Sequence, residues 1–130
     1  VYHRTPEAAD GAAVSERAVA LARENAALNH ISNVTFTHGD ASAIFASVQA
    51  PPADTAVILD PPRKGCSESF LEQLVQFAPA LIVSVACGPE AQMRDIRTLM
   101  AAGYRITDVQ PFDLFPQTRH IENVIVLARG

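Results

Sequence analysis

The chain has 130 residues, 48% of them hydrophobic, and a formal net charge of −4. That length fits one domain with one sizeable core, and that composition excludes a disordered chain. The acidic balance excludes a protein that grips nucleic acid by net charge, so any such affinity must come from a local patch.

No apolar run approaches the ~18 residues that span a membrane, and VYHRTPEAAD lacks the apolar segment of a leader. Cys66 and Cys87 are too few and too far apart for a disulfide framework or a zinc pattern. They point to a reducing, intracellular setting, with nucleus, cytoplasm and mitochondrion all open. The four histidines are scattered, so no metal site is expected.

Residues 1–10 show no periodicity, and Pro6 interrupts them. Ser15 is placed to cap a helix through SERAVALARENAALN, with Ala18, Leu21, Ala22 and Leu28 near one face. NVTFTHGD reads as a strand ended by Gly39. AVILD is a continuous apolar run closed by Pro61 and Pro62, the pattern of a buried parallel strand. Ser67 is placed to cap ESFLEQLVQFA, whose Phe70, Leu71, Leu74 and Val75 share a face. ALIVSVA is the next buried strand, and Pro89 suits the first position of a helix that buries Ile96, Leu99 and Met100 and stops at Gly103. YRITDVQPFDLF reads as a strand and an irregular turn, and ENVIVLAR as the final strand. Alternation of this kind predicts an open α/β sheet, mostly parallel and covered on both faces. The short loop before the last strand makes it antiparallel to its predecessor.

In such sheets ligands gather at the carboxyl ends of the parallel strands. Asp60 ends one strand and Cys87 the next, while the reversed last strand brings its start, Glu122, to the same edge. Cys87 also precedes a helix N-terminus, where unpaired N–H groups and the dipole favour the negative charge of a thiolate. Packing as a small buried hydrophobe is the competing role for a cysteine after an apolar run. Arg63 and Lys64 follow the stiff Pro-Pro turn and suit contacts to a phosphate backbone, or a plain surface loop.

LDPPRKGC, VACGPEAQMRDI and DLFPQTRHIENVIVL, in that order, resemble the C-terminal half of the S-adenosylmethionine-dependent RNA uracil-5-methyltransferases. DPPRKGC with FPQTRHIE is most similar to the eukaryotic, fungal-type enzymes acting on the T-loop uridine of tRNA. The resemblance runs from Ser15 to the end of the chain. It implies a class I methyltransferase sheet, Rossmann-like, with a terminal antiparallel strand, and one partial catalytic domain over residues 1–130. It further implies S-adenosyl-L-methionine as cofactor and RNA as partner, with tRNA foremost, and no membrane or metal. Carried over residue by residue, it makes Cys87 the nucleophile toward carbon 6 of the uracil and Glu122 the base that takes the proton from carbon 5. Asp60 and Asp40 become cofactor-binding residues, Asp40 at the strand-end position that meets the adenine amino group. Arg63 and Lys64 become RNA contacts. Phe115 is expected in the core, His120 as a turn-orienting residue, and Cys66 as a bystander thiol.

Three departures accompany the resemblance. Residues 1–14 contain only Gly11 and no Gly-x-Gly, so the family's glycine-rich loop is expected to be absent, with the N-terminal part of the sheet. Ala13 stands where an acidic residue should hold the ribose. Ala86–Pro89 reads Ala-Cys-Gly-Pro where the family has Ser-Cys-Asn-Pro. The alternative reading is therefore a non-catalytic remnant serving as a binding module. An amino-group methyltransferase shares the strand-end acid and two prolines, but would carry an aromatic residue where Arg63 stands. A nicotinamide oxidoreductase lacks its fingerprint here.

Overall fold

The computed structural model describes residues 8–130, with the backbone alone at 41–43. The break expected at Pro6 lies outside the described residues. Two compact units divide the chain, one ending at Gln49 and one spanning Ala50–Gly130.

In the first unit, β1 (Ala9–Ala13) pairs in parallel with β2 (Val34–His38), joined by α1 (Glu16–Leu28). Ser15 caps α1 by accepting from the Ala18 N–H at 3.2 Å. Its buried stripe runs through Val19, Ala22 and Ala26 rather than the expected Leu21 and Leu28, both of which are exposed. On the helical wheel those leucines fall almost opposite Val19, so the bulkier side chains mark the wrong face. Periodicity missed β1, because ADGAA has no apolar alternation; pairing with β2 forms it. It ends at Ala13, the strand-end position that the resemblance implies.

In the second unit, β3 (Ala56–Leu59), β4 (Leu81–Ala86), β6 (Glu122–Arg129) and β5 (Tyr104–Phe112) form a four-stranded sheet in that order. β3 and β4 are parallel, and β6 runs against both β4 and β5. The crossover helices are α2 (Glu68–Phe77) and α3 (Pro89–Ala101). Ser67 caps α2 through the Phe70 N–H at 3.2 Å. Both crossovers advance in the same direction across the sheet, so helices of the usual hand fall on one face. That face holds the core: Leu74, Ile82, Ile96, Leu99, Ile125 and Leu127. Each fully buried aliphatic of this kind contributes roughly 1.5–3 kcal/mol of transfer free energy.

Cover on both faces was expected, and this sheet departs from it. Val83, Val85, Val124 and Val126, on the other face, are only half-buried. Ile58 of the edge strand β3 is 73% exposed. α3 differs too. Met100 is exposed, while Gln92 and Asp95 lie buried in the same stripe as Ile96 and Leu99.

Tyr104 fastens the far end of the sheet: its hydroxyl donates to the Pro79 carbonyl at 2.7 Å, and both residues are buried. Tyr104→Phe leaves that carbonyl without its donor and is expected to cost ~1–2 kcal/mol in urea unfolding. An unchanged midpoint would show that the bond contributes nothing.

Candidate active site

β4 carries Cys87 immediately beyond its last residue, Ala86, and β6 begins with Glu122. Their register pairs Ala86 with Asn123. Cys87 and Glu122 are the residues next to that pair, so the end of β4 and the start of the antiparallel β6 bring them to one edge of the sheet. Asp60 follows the end of β3 and is level with Val85, since Leu59 pairs with Ser84. The thiol and two carboxylates thus share one edge, the edge expected from topology. Asp60 is exposed, while Cys87 and Glu122 are half-buried. None of the three side chains has a hydrogen-bond partner among the described residues.

The loop from Pro61 to Cys66 is held down from α3. Asp95 Oδ2 accepts from the Cys66 N–H at 2.7 Å. Arg94 donates to the Lys64 carbonyl at 2.9 Å and to Asp95 Oδ1 at 2.8 Å. Gly65 adopts φ +84, and a Cβ there would lie 2.7 Å from Asp95 Oδ2, so only glycine fits beneath this pair. Arg63 and Lys64 are left exposed, their side chains without partners among the described residues. The same loop leans on the turn after Cys87. A Cβ on Gly88 would meet the Arg63 carbonyl oxygen at 2.9 Å. The glycine that replaces the family's asparagine therefore admits a close backbone approach that an asparagine would push away.

Asp40 belongs to the first unit, where it is exposed two residues beyond the end of β2. Ala13, at the end of β1, offers no side-chain acceptor. Phe115, expected in the core, is 54% exposed. The turn before β6 is built by Thr118, which bonds the Phe115 carbonyl at 2.7 Å through its hydroxyl. His120 enters that turn through its main chain, donating its N–H to Thr118 Oγ1 at 3.2 Å. Among the described residues no cluster of His, Cys, Asp or Glu is placed to hold a metal, and no helix is long and apolar enough to cross a membrane.

Sequence reasoning passed over Ser84, Gln92, Arg94 and Asp95. Two of them had a legible signal. Gln92 and Asp95 sit at i and i+3 in the stripe whose i+4 and i+7 members are Ile96 and Leu99. A polar residue inside an apolar stripe is either satisfied internally or wrongly placed. Here every buried side-chain nitrogen and oxygen among the described residues is satisfied.

The two cysteines are held differently. Burial pushes the Cys66 thiol up to about 12, and the neighbouring Asp95 carboxylate adds to this by charge and by accepting the thiol's hydrogen bond.

Known proteins bear on this arrangement. The tRNA (uracil-5-)-methyltransferase family profile matches residues 53–130. The tRNA (uracil(54)-C(5))-methyltransferase of Schizosaccharomyces pombe is 42% identical over 123 residues, covering 92% of this chain and 23% of that protein. Its Saccharomyces cerevisiae counterpart is 39% identical over 124 residues, 92% of this chain and 19% of that one. The chain thus spans about a fifth to a quarter of these relatives. The crystal structure of Pyrococcus abyssi tRNA (uracil-54, C5)-methyltransferase in complex with S-adenosyl-L-homocysteine matches with a TM-score of 0.77. Identity is 31%, over 92% of this chain and 28% of that one. The fold is the class I methyltransferase fold, mixed α/β with parallel strand pairs and an antiparallel last strand.

A raised thiol pKa favours the folded state while the thiol is neutral. That stability is fully present below pH ~9 and drains away as pH rises toward 12. Urea midpoints should fall over this range, and Cys66→Ser should remove the fall. At pH 8 an alkylating reagent should label Cys87 in the folded chain and Cys66 only after unfolding. Equal labelling of both thiols by mass spectrometry contradicts the assignment.

Proposed function

The chain belongs to the tRNA (uracil-5-)-methyltransferase family, and from that premise we propose that it carries the covalent half of a uridine C5-methylation. What supports the reading is that Cys87 follows directly on β4 and Glu122 opens the antiparallel β6, next to the register pair Ala86–Asn123. Both side chains are left without partners among the described residues, whereas the buried polar groups behind them are all satisfied.

Carbon 5 of uracil is too poor a nucleophile to be methylated directly. The Cys87 thiolate adds to carbon 6, and the electrons move into the C5–C4–O system as an enolate, which makes carbon 5 nucleophilic. When bound, S-adenosylmethionine would supply the methyl group to carbon 5 and leave as S-adenosylhomocysteine. Glu122 removes the proton from carbon 5, the C6–S bond breaks, the C5–C6 double bond returns, and the thiolate is regenerated. Asp60 and Asp40 are acceptors suited to the cofactor, while Ala13 leaves the ribose without one. The residues present therefore fit that group only in part. Arg63 and Lys64, whose side chains have no partner among the described residues, are cations for RNA phosphates at the same edge. The substrate is a tRNA uridine turned out of its loop, in an intracellular setting, by analogy with relatives whose names specify uracil 54.

A second reading, a binding module without turnover, is favoured by Ala13. Cys87→Ser separates the two, and calorimetry gauges what Ala13 costs in cofactor binding. This chain is expected to bind S-adenosylmethionine more weakly than micromolar, and Ala13→Glu to tighten binding about tenfold, the worth of ~1.4 kcal/mol in ribose hydrogen bonds. Micromolar binding by the unaltered chain would remove the case for the second reading.

Substitutions at the two proposed catalytic residues should have opposite signatures on a T-arm RNA. Cys87→Ser should lower 5-methyluridine formation by about a thousandfold or more and abolish any protein–RNA adduct. Glu122→Gln should still form the adduct but release it slowly, so that it accumulates on a denaturing gel. Undiminished methylation by Cys87→Ser would refute the covalent mechanism.

A further inference from the structure

Behind Cys87 and Glu122 lies a buried amide, inside the VACGPEAQMRDI stretch, to which the proposed reaction gives no role. Gln92, in the second turn of α3, is 2% exposed. Its Nε2 donates to the Ser84 carbonyl at 3.1 Å, to Ser84 Oγ at 3.2 Å and to the Asn123 carbonyl at 3.1 Å. Its Oε1 accepts from Asn123 Nδ2 at 2.9 Å. Its main-chain N–H donates to the Gly88 carbonyl at 3.0 Å. One residue therefore holds the neighbour of Cys87 through its backbone, the neighbour of Glu122 through its side chain, and the body of β4 through Ser84. Pro111, the register partner of Asn123 on β5, has no N–H to donate to it.

We infer that Gln92 is a positioning residue that sets the start of β6, and with it Glu122, against the thiol of Cys87. The inference rests on the catalytic roles proposed above. Cys87 stays attached to α3 by the chain itself, through Gly88 and Pro89. Glu122 lies on a separate strand whose first residues gain a tie to α3 through this amide. Loss of the amide should thus disturb the Glu122 step and spare the Cys87 step. Alternation along the strands agrees. Ser84, Ala86 and Asn123 share the face that α3 covers, so Glu122, next to Asn123 on β6, points to the opposite side, away from Gln92.

The test is Gln92→Met, which keeps the length and removes both donor and acceptor. Asn123→Ala is the milder companion if the first variant does not fold. Both are assayed in the full chain, well below the unfolding midpoint. Amide hydrogen exchange, which needs no RNA, should rise about tenfold at Glu122 and Asn123 while Leu127 and Ala128 keep their protection. On RNA, kcat should fall about ten- to a hundredfold with KM unchanged, and the covalent adduct should accumulate as in Glu122→Gln. Uniform loss of protection along β6, or a kcat that falls only with the folded fraction, overturns the inference and makes Gln92 merely structural. If the unaltered chain forms no Cys87-dependent adduct, the methyltransferase reading fails instead, and the exchange pattern still decides whether Gln92 holds the start of β6.

Discussion

β6 runs against both of its neighbours, and the second unit is organised around that reversal. A strand placed between β4 and β5 must satisfy two hydrogen-bonded ladders at once, so its register is pinned from both sides. Because it is antiparallel to β4, its first residue lies where β4 ends. A slip of one residue would turn Ile125 and Leu127 out of the core and expose the apolar face that α2 and α3 cover. The placement of Glu122 beside the end of β4 is thus enforced by the same packing that stabilises the sheet.

Polar groups near this edge fall into two populations. Gln92, Ser84, Asp95 and Cys66 are bonded among themselves or to backbone groups, and they are arranged around α3. Asp60, Arg63, Lys64, Cys87 and Glu122 have side chains without intramolecular partners among the described residues. The first population fixes backbone: Asp95 and Arg94 hold the loop after β3, and Gln92 joins β4 to β6. The second projects from the backbone so fixed. Burying an unsatisfied amide or carboxylate costs roughly 1–3 kcal/mol or more, which is why the supporting groups are paired so fully. The side chains to which a chemical role is proposed are those left at the rim.

Gly88 shows how a departure from family pattern can be read physically. An asparagine there would carry a Cβ into the Arg63 carbonyl. With glycine, the cysteine turn and the Pro-Pro loop approach more closely than a side chain allows. The Cys87 turn and the loop after Asp60 are therefore in contact through backbone, and movement of one is felt by the other.

Much was already written in the chain itself. Caps at Ser15 and Ser67, Pro89 at a helix start, the strands at β3 and β4 and the short connection before β6 are local signals. Except that β3, expected buried, is an edge strand with Ile58 exposed, each is borne out. So is the gathering of Asp60, Cys87 and Glu122 at one edge, since strand direction alone implies it. β1 escaped because ADGAA carries no apolar alternation and becomes a strand only by pairing with β2. The exposed Leu21, Leu28 and Met100 were misjudged because periodicity reports a stripe without saying which neighbour covers it. Gln92 and Asp95 were passed over although they stood in the stripe of α3. A single sequence shows that a buried amide needs partners, but Ser84 and Asn123 are 8 and 31 residues away from it. Only the packing of α3 against two antiparallel strands brings those partners within hydrogen-bonding distance. Local propensity and strand order thus determined which residues reach the edge. Long-range packing decided what holds them there.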